Sequence, residues 1–402
     1  MKKNGLLLLG LIIITLLVFL SCERSDMPLS DNTQTQIDDI DDGLVDGMPI
    51  EGSYIVVMET EISNFQKSTS LQKTAAMVER TSLNILDEAN INKKALNRVY
   101  ATAIQGFHAI ISAGEAELLI NDKRVKFIEQ DFVIKKKPSP DPVDPPAGQT
   151  VPWGITRVGG GATYTGSHVA WIIDSGVDLD HPDLNVDVAR SAYFVSRVSS
   201  ADDDNGHGTH VAGTIAAIDN DIQVVGVAAG ATVVPVKVLD RRGSGSLSGV
   251  IAGIDYVAAN AASGDVANMS LGGGVSTALD DAVYNASQEG IYFALAAGNE
   301  SDDADNHSPA RVNGPNIFTV SALGSNDLWA LFSNYGNPPV DYAAPGVSIF
   351  SLYKKGGTAT MSSTSMAAPH MAGVLLLTNG HPNTDGYVLN DPDGDPDPIA
   401  HE

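Results

Sequence analysis

Val169-Ala170-Trp171-Ile172-Ile173-Asp174-Ser175-Gly176 is an unbroken apolar run that ends in a carboxylate and a glycine turn. Short continuous apolar runs suit strands covered on both faces, as parallel sheets are. Thr232 to Leu239 and Ile291 to Ala297 are mostly apolar in the same way, with helical stretches between them. The pattern predicts an α/β class: a parallel sheet with helices on both faces. In such open sheets the carboxyl ends of strands face the ligand crevice. Asp174 therefore stands at a candidate site, although alone it reads more readily as a turn residue before Gly176.

Working outward, Asn205-Gly206-His207-Gly208-Thr209-His210-Val211-Ala212-Gly213 opens a predicted helix that is mostly apolar to Ile218. The flanking glycines let backbone approach the His207 imidazole closely. His207 and His210 also stand at the i, i+3 spacing of a metal pair, but no His-Glu-x-x-His pattern or clear third ligand accompanies them. Thr364-Ser365-Met366-Ala367-Ala368-Pro369-His370 opens another helix, predicted over Met366 to Leu377. A serine there is an ordinary N-cap or a hydroxyl set beside a positive helix end. Ala296-Ala297-Gly298-Asn299 ends a buried run and offers a carboxamide donor. Taken together, Asp174, His207 and Ser365 supply an orienting carboxylate, a base and a nucleophile, and Asn299 an oxyanion donor. No Gly-x-Ser-x-Gly elbow surrounds Ser365, which argues against an α/β-hydrolase.

These neighbourhoods resemble the subtilases, the subtilisin-like serine proteases, over Gln149 to about Thr378. The separations, 33 residues from Asp174 to His207 and 158 from His207 to Ser365, suit that family. The resemblance implies a subtilisin-like domain that hydrolyses extended peptides by an Asp-His-Ser triad through an acyl-enzyme. It also implies a substrate groove with Gly243-Ser244-Gly245 on one edge and Ser270-Leu271-Gly272-Gly273 on the other. A structural calcium ion is implied as well, held by Gln149, Asp183, Asn220 and the carbonyls of Ile218, Ile222 and Val224; a solvated acidic loop is the plainer reading. Two departures stand out. Ser363 replaces the family's usual glycine, a strain if the backbone there needs positive φ. The chain also runs only 37 residues past Ser365, so the family's closing helices are expected to be short or replaced.

Ahead of this domain, residues 51–137 read as a small α+β module with a ferredoxin-like pattern. Strands are expected at Tyr54 to Met58, Ala109 to Ser112 and Val125 to Ile134, with helices at Leu71 to Leu86 and Glu115 to Leu119. The module is similar to subtilase propeptides at Gly106-Phe107-His108-Ala109 and Arg124-Val125-Lys126-Phe127-Ile128-Glu129. That likeness implies an intramolecular inhibitor, clipped near the proline-rich linker 138–148. The remaining divisions are a catalytic domain over 149–380 and an acidic tail over 381–402, whose Asp391, Asp393, Asp395 and Asp397 are a rival calcium site.

The extreme N-terminus sets the compartment. Lys2 and Lys3 precede an apolar run from Gly5 to Leu20, sixteen residues where a spanning helix needs about 20. Leu20-Ser21-Cys22 resembles a bacterial lipobox, with Phe19 where leucine is more usual. This predicts a signal peptide over 1–21, a lipid anchor on Cys22 and a flexible tether over 22–50. The 402 residues, 43% hydrophobic, allow two or three domains at roughly 150 residues each. A net charge of −25 argues against nucleic acid, and a single cysteine excludes an intramolecular disulfide. A peptide-binding or adhesive lipoprotein that keeps the fold without turnover is the alternative of a different class, with Ser363 its only support.

Overall fold

The structure, a computed structural model, describes residues 45–59, 71–136, 143 and 146–402. The expected signal peptide, Cys22 and most of the expected tether lie outside them, as does Lys137.

The N-terminal module is an antiparallel sheet of β1 (Pro49–Met58), β2 (Leu96–Tyr100), β3 (Gly106–Ile110) and β4 (Val125–Lys135). Its strand order is β4-β1-β3-β2, and α1 (Leu71–Glu88) and α2 (Ala113–Leu119) accompany it. A capping box fixes the start of α2: Ser112 accepts from the Glu115 amide while Glu115 reaches back to the Ser112 amide. Strand β2 has no counterpart in the sequence reading, because in Leu96-Asn97-Arg98-Val99-Tyr100 two polar residues stand together and then two apolar ones, which breaks the alternation. The tether ends earlier than expected. Gly47 N donates to Val133 O (2.8 Å), and Asp46 Oδ1 accepts from Lys135 N (2.8 Å), so residues 46–50 are part of the sheet.

The larger domain is built on parallel strands β5 (Ala170–Asp174), β6 (Thr232–Lys237), β8 (Val266–Met269), β9 (Tyr292–Ala296), β10 (Ile317–Leu323) and β11 (Val340–Pro345). They lie in the order β11-β10-β9-β8-β5-β6. Alternation along β5 explains both faces. Trp171 and Ile173 pack with α4 (Leu247–Asn260) and α5 (Thr277–Ser287). Ala170 and Ile172 pack with α3 (His207–Ala216) and α6 (Thr364–Thr378). The short β7 (Ser244–Ser246) stands outside this sheet and pairs instead with β4 of the module. A hairpin of β12 (Ile349–Tyr353) and β13 (Gly357–Met361) precedes α6.

Residues 381–402 are not a solvated tail. They form β14 (Asn383–Tyr387) and β15 (Pro398–His401), and β15 adds to the edge of the main sheet beside β11. Ser321 Oγ donates to Asp397 Oδ2 (2.5 Å), and the Asp391 and Asp393 carboxylates accept backbone amides of their own loop. Asp391 and Asp393 are thereby committed to holding the turn, and the hairpin stands in the place of the closing helices that were expected to be short or replaced.

Module and domain share one core: Ile55, Val57, Tyr100 and Ile134 pack in the same cluster as Leu247, Val250 and Leu279. Carboxylates complete the join. Asp131 accepts from Ser248 N (3.0 Å) and Ser248 Oγ (2.6 Å), and Glu129 accepts from Ala278 N (3.0 Å). Each thus sits at the positive start of a domain helix, α4 or α5. In return Asp255 of α4 accepts from the amides of Ala101, Thr102 and Ala103.

His108 is buried in this join, with Nε2 2.6 Å from Ser53 Oγ and 3.6 Å from Asp131 Oδ2, and Nδ1 facing Asn97 Oδ1. Burial pushes its pKa down to about 4 against the pull of Asp131, and Arg98 nearby lowers it further. A free histidine titrates near 6.5, so the unfolded chain takes up a proton first as pH falls. The stability that neutral His108 lends the fold should be full above about pH 6.5 and weaken progressively toward pH 4. The melting temperature of the uncut chain, made with Ser365→Ala, should fall across that window. His108→Gln should flatten that part of the profile; an unchanged profile would remove His108 from the account.

Candidate active site

Asp174 is the last residue of β5 and fully buried. Its Oδ1 accepts from Ser175 N (2.7 Å) and lies 2.8 Å from His207 Nδ1, with Oδ2 at 2.9 Å. Burial raises the Asp174 pKa, and the nearby Lys136 ammonium opposes that rise. His207 opens α3, and two glycines give it room. Gly206 has φ +109, and a Cβ there would run into the Tyr353 ring. A Cβ on Gly208 would lie 1.9 Å from Gly176 O, so strand end and helix start meet backbone to backbone.

Asp203, which the sequence reading passed over, ties this corner together. Its Oδ1 accepts from Ser175 Oγ, Asn205 N and Gly206 N, and its Oδ2 from the amide and hydroxyl of Thr209. An aspartate four residues before the helix was the available signal. His210 is separate from His207: its Nε2 meets the carbonyl oxygens of Ile349 (3.1 Å) and Ala359 (3.2 Å), a packing role. The two histidines therefore do not form a metal pair.

Ser365 is the second residue of α6, and Ser363, not Ser365, caps the helix. Ser365 Oγ donates to Ser270 O (3.1 Å), and Ser270 Oγ returns a bond to Ser365 O (2.7 Å). Asn299 follows β9, and its Oδ1 accepts from Thr364 N (2.9 Å), Thr364 Oγ1 (3.2 Å) and Ser363 Oγ (3.1 Å). With the carbonyl end committed, its Nδ2 is left as the donor. Glu300 steadies the turn by accepting from Asn299 N (2.7 Å) and Asn334 Nδ2 (2.8 Å). Ser363 shows no glycine-like strain: φ is 179 and ψ 160, extended backbone open to any residue.

The chain's own module lies along the expected substrate groove. Strand β4 pairs antiparallel with β7, Lys135 against Ser244 and Ile134 against Gly245, and Lys136 N donates to Gly243 O (2.9 Å). On the other edge Leu271 is buried, and Gly272 lies against Ser308. A Cβ on Gly273 would sit 3.4 Å from Asp46 Oδ1 and 3.6 Å from the Phe132 ring, both from the module. The Lys136 ammonium contacts the His207 ring nitrogens and stands 3.8 Å from Asp174 Oδ2. Burial holds the Lys136 pKa below the usual lysine value.

The proposed calcium residues also converge. Asn220 Nδ2 donates to Asp183 Oδ1 (2.6 Å), and Gln149 Nε2 donates to Ile218 O (2.9 Å) and lies 3.5 Å from Val224 O. Asn220 Oδ1 accepts from Ile222 N (2.8 Å). Burial pushes Asp183 up to about 6.

The subtilase family profile matches residues 166–390, and the peptidase inhibitor I9 profile matches residues 53–137. The chain belongs to the subtilase family. This protease is 41% identical over 344 residues to alkaline serine exoprotease A of Vibrio alginolyticus, covering 83% of this chain and 61% of that protein. It is 37% identical to an extracellular serine proteinase of a Thermus species, over 94% of this chain and 90% of that one. A solved structure of a cold-adapted subtilisin-like serine proteinase matches with 40% identity and a TM-score of 0.54. That match covers 62% of this chain and 97% of the other. The protease thus carries an I9-type inhibitor module ahead of a subtilisin-like serine endopeptidase domain.

Proposed function

We propose that the protease is an exported, self-processing zymogen whose Ser365 attacks the carbonyl carbon of an extended peptide while His207 accepts its proton. Asp174 holds the imidazole with Nδ1 as its donor, and Asn299 Nδ2 with the Ser365 amide receives the oxyanion. His207 then returns the proton to the leaving amine, and water cleaves the acyl-enzyme by the same route reversed. One observation carries this reading: β4 already lies in the groove as an added strand, the manner in which backbone-directed peptide sites bind. Its last hydrogen bond, Lys136 N to Gly243 O, brings the chain to the His207 ring, which supports a cut between Lys137 and Gln149. A fluorophosphonate should label Ser365 in processed protein; absence of labelling there would sink the reading. The non-catalytic alternative rested on strain at Ser363, which the extended backbone removes.

Anchoring through a lipidated Cys22 rests on the sequence alone. Mass spectrometry of protein extracted from membranes should find a diacylglyceryl mass on the Cys22 peptide.

The residues around Asp183 offer a hard cation a buried carboxylate and the carbonyls of Ile218 and Val224, and the Gln149 and Asn220 carboxamides, whose nitrogens face these oxygens, would turn to present their own. Gln149, Asp183 and Asn220 would hold the ion by side chains, and Ile218, Ile222 and Val224 by carbonyls. Bound there, it would supply the positive charge that Asp183 faces from no side chain among the described residues. Chelation should lower the melting temperature by roughly 5–15 °C from its value at saturating calcium. Asp183→Ala should reproduce the loss and cancel any further effect of calcium; a calcium response that survives Asp183→Ala places the ion elsewhere.

A further inference from the structure

Ser363 stands between the two groups that receive the oxyanion. Its Oγ donates to Asn299 Oδ1 (3.1 Å) and accepts from Ser365 N (3.0 Å). As the cap of α6 this is ordinary helix chemistry. At this helix it has a further consequence, because the amide it satisfies is the one that must meet the oxyanion. An N–H carries one proton, and here that proton already faces a hydroxyl lone pair. A residue without a hydroxyl there would offer no competing acceptor.

We propose that Ser363 is a positioning residue that acts as a brake on acyl transfer. Its hydroxyl must release the Ser365 amide before that amide can bind the developing negative charge. The inference rests on the oxyanion reading given above and adds a residue to it. The lost hydrogen bond falls on the transition state and not on the bound substrate, whose carbonyl oxygen carries less charge. The brake therefore lowers kcat and leaves KM alone. The same hydroxyl caps α6, so it exchanges rate for helix stability.

The test uses the processed protein, freed of its module, with an extended peptide amide substrate. Ser363→Ala and Ser363→Gly both remove the hydroxyl, and either should raise kcat by about three- to tenfold, the worth of one neutral hydrogen bond. KM should not change. A peptide aldehyde, which forms a tetrahedral adduct with Ser365, should bind more tightly by the same factor, while a cleaved-product peptide binds as before. A purely structural cap would lower the melting temperature and leave both ratios alone. Ser363→Thr, which keeps a hydroxyl, should restore the brake. If a fluorophosphonate labels the wild-type protein but Ser363→Ala and Ser363→Gly turn over no faster, the brake fails and the oxyanion reading stands. If neither wild type nor variants are labelled, the oxyanion reading fails and the brake fails with it.

Discussion

Ser365→Ala should accumulate as the uncut chain, with Glu51 still joined to Gln149, and should lose about 10⁶-fold in kcat toward any peptide, the scale known from subtilisin. Both effects have one cause. The module reaches the groove on the same chain, so cutting at the linker needs the same nucleophile as cutting a substrate. Lys136 holds the His207 ring in the uncut state, and removing a single hydroxyl leaves that arrangement in place. The variant should therefore fold and melt cooperatively while mass spectrometry finds no new N-terminus between Lys137 and Gln149. Processing at full rate in Ser365→Ala, with no other protease present, would exclude Ser365 as the nucleophile.

Asn299→Ala should lower kcat by about 10²–10³ with KM nearly unchanged, again a range known from the equivalent donor in subtilisin. The split follows from the geometry. The Asn299 carbonyl is held by Ser363 and Thr364, so its amide end is fixed before substrate arrives and engages most strongly when charge develops. Alanine also releases Thr364 N and the Ser363 hydroxyl, so a small fall in melting temperature should accompany the loss. A change confined to KM would make Asn299 a binding residue.

Much of this was legible in the sequence, for identifiable reasons. The β5 run announced a doubly covered strand because both of its faces are apolar, and the structure gives each face its own helix pair. Asp174, His207 and Asn299 were visible because glycines beside them mark sharp backbone turns at strand and helix ends. What escaped was whatever depends on partners far along the chain. Asp255 looks like any surface aspartate until the Ala101 to Ala103 backbone is brought to it, and Asp203 until the Ser175 hydroxyl is. Strand β2 is recruited by its neighbour β3 and lacks an alternation of its own. The strain expected at Ser363 was a matter of φ, which residue type alone does not fix. The residues 381–402 read as solvent-loving by charge, yet Val388 and Ile399 anchor them in a small core with Leu323 and Ala343.

That last pairing bears on how long the molecule survives its own company. A protease that takes extended segments must find backbone that is free to be captured. Loose acidic ends are the segments a neighbouring copy would capture first. Strand β15 has its backbone engaged by β11 on one side and β14 on the other, and Arg157 fastens Asp385 and Asp327 across the turn. Nicking there requires the hairpin to peel away from the sheet edge first. Self-cleavage within this hairpin is thereby tied to the opening of that edge rather than to encounters between molecules.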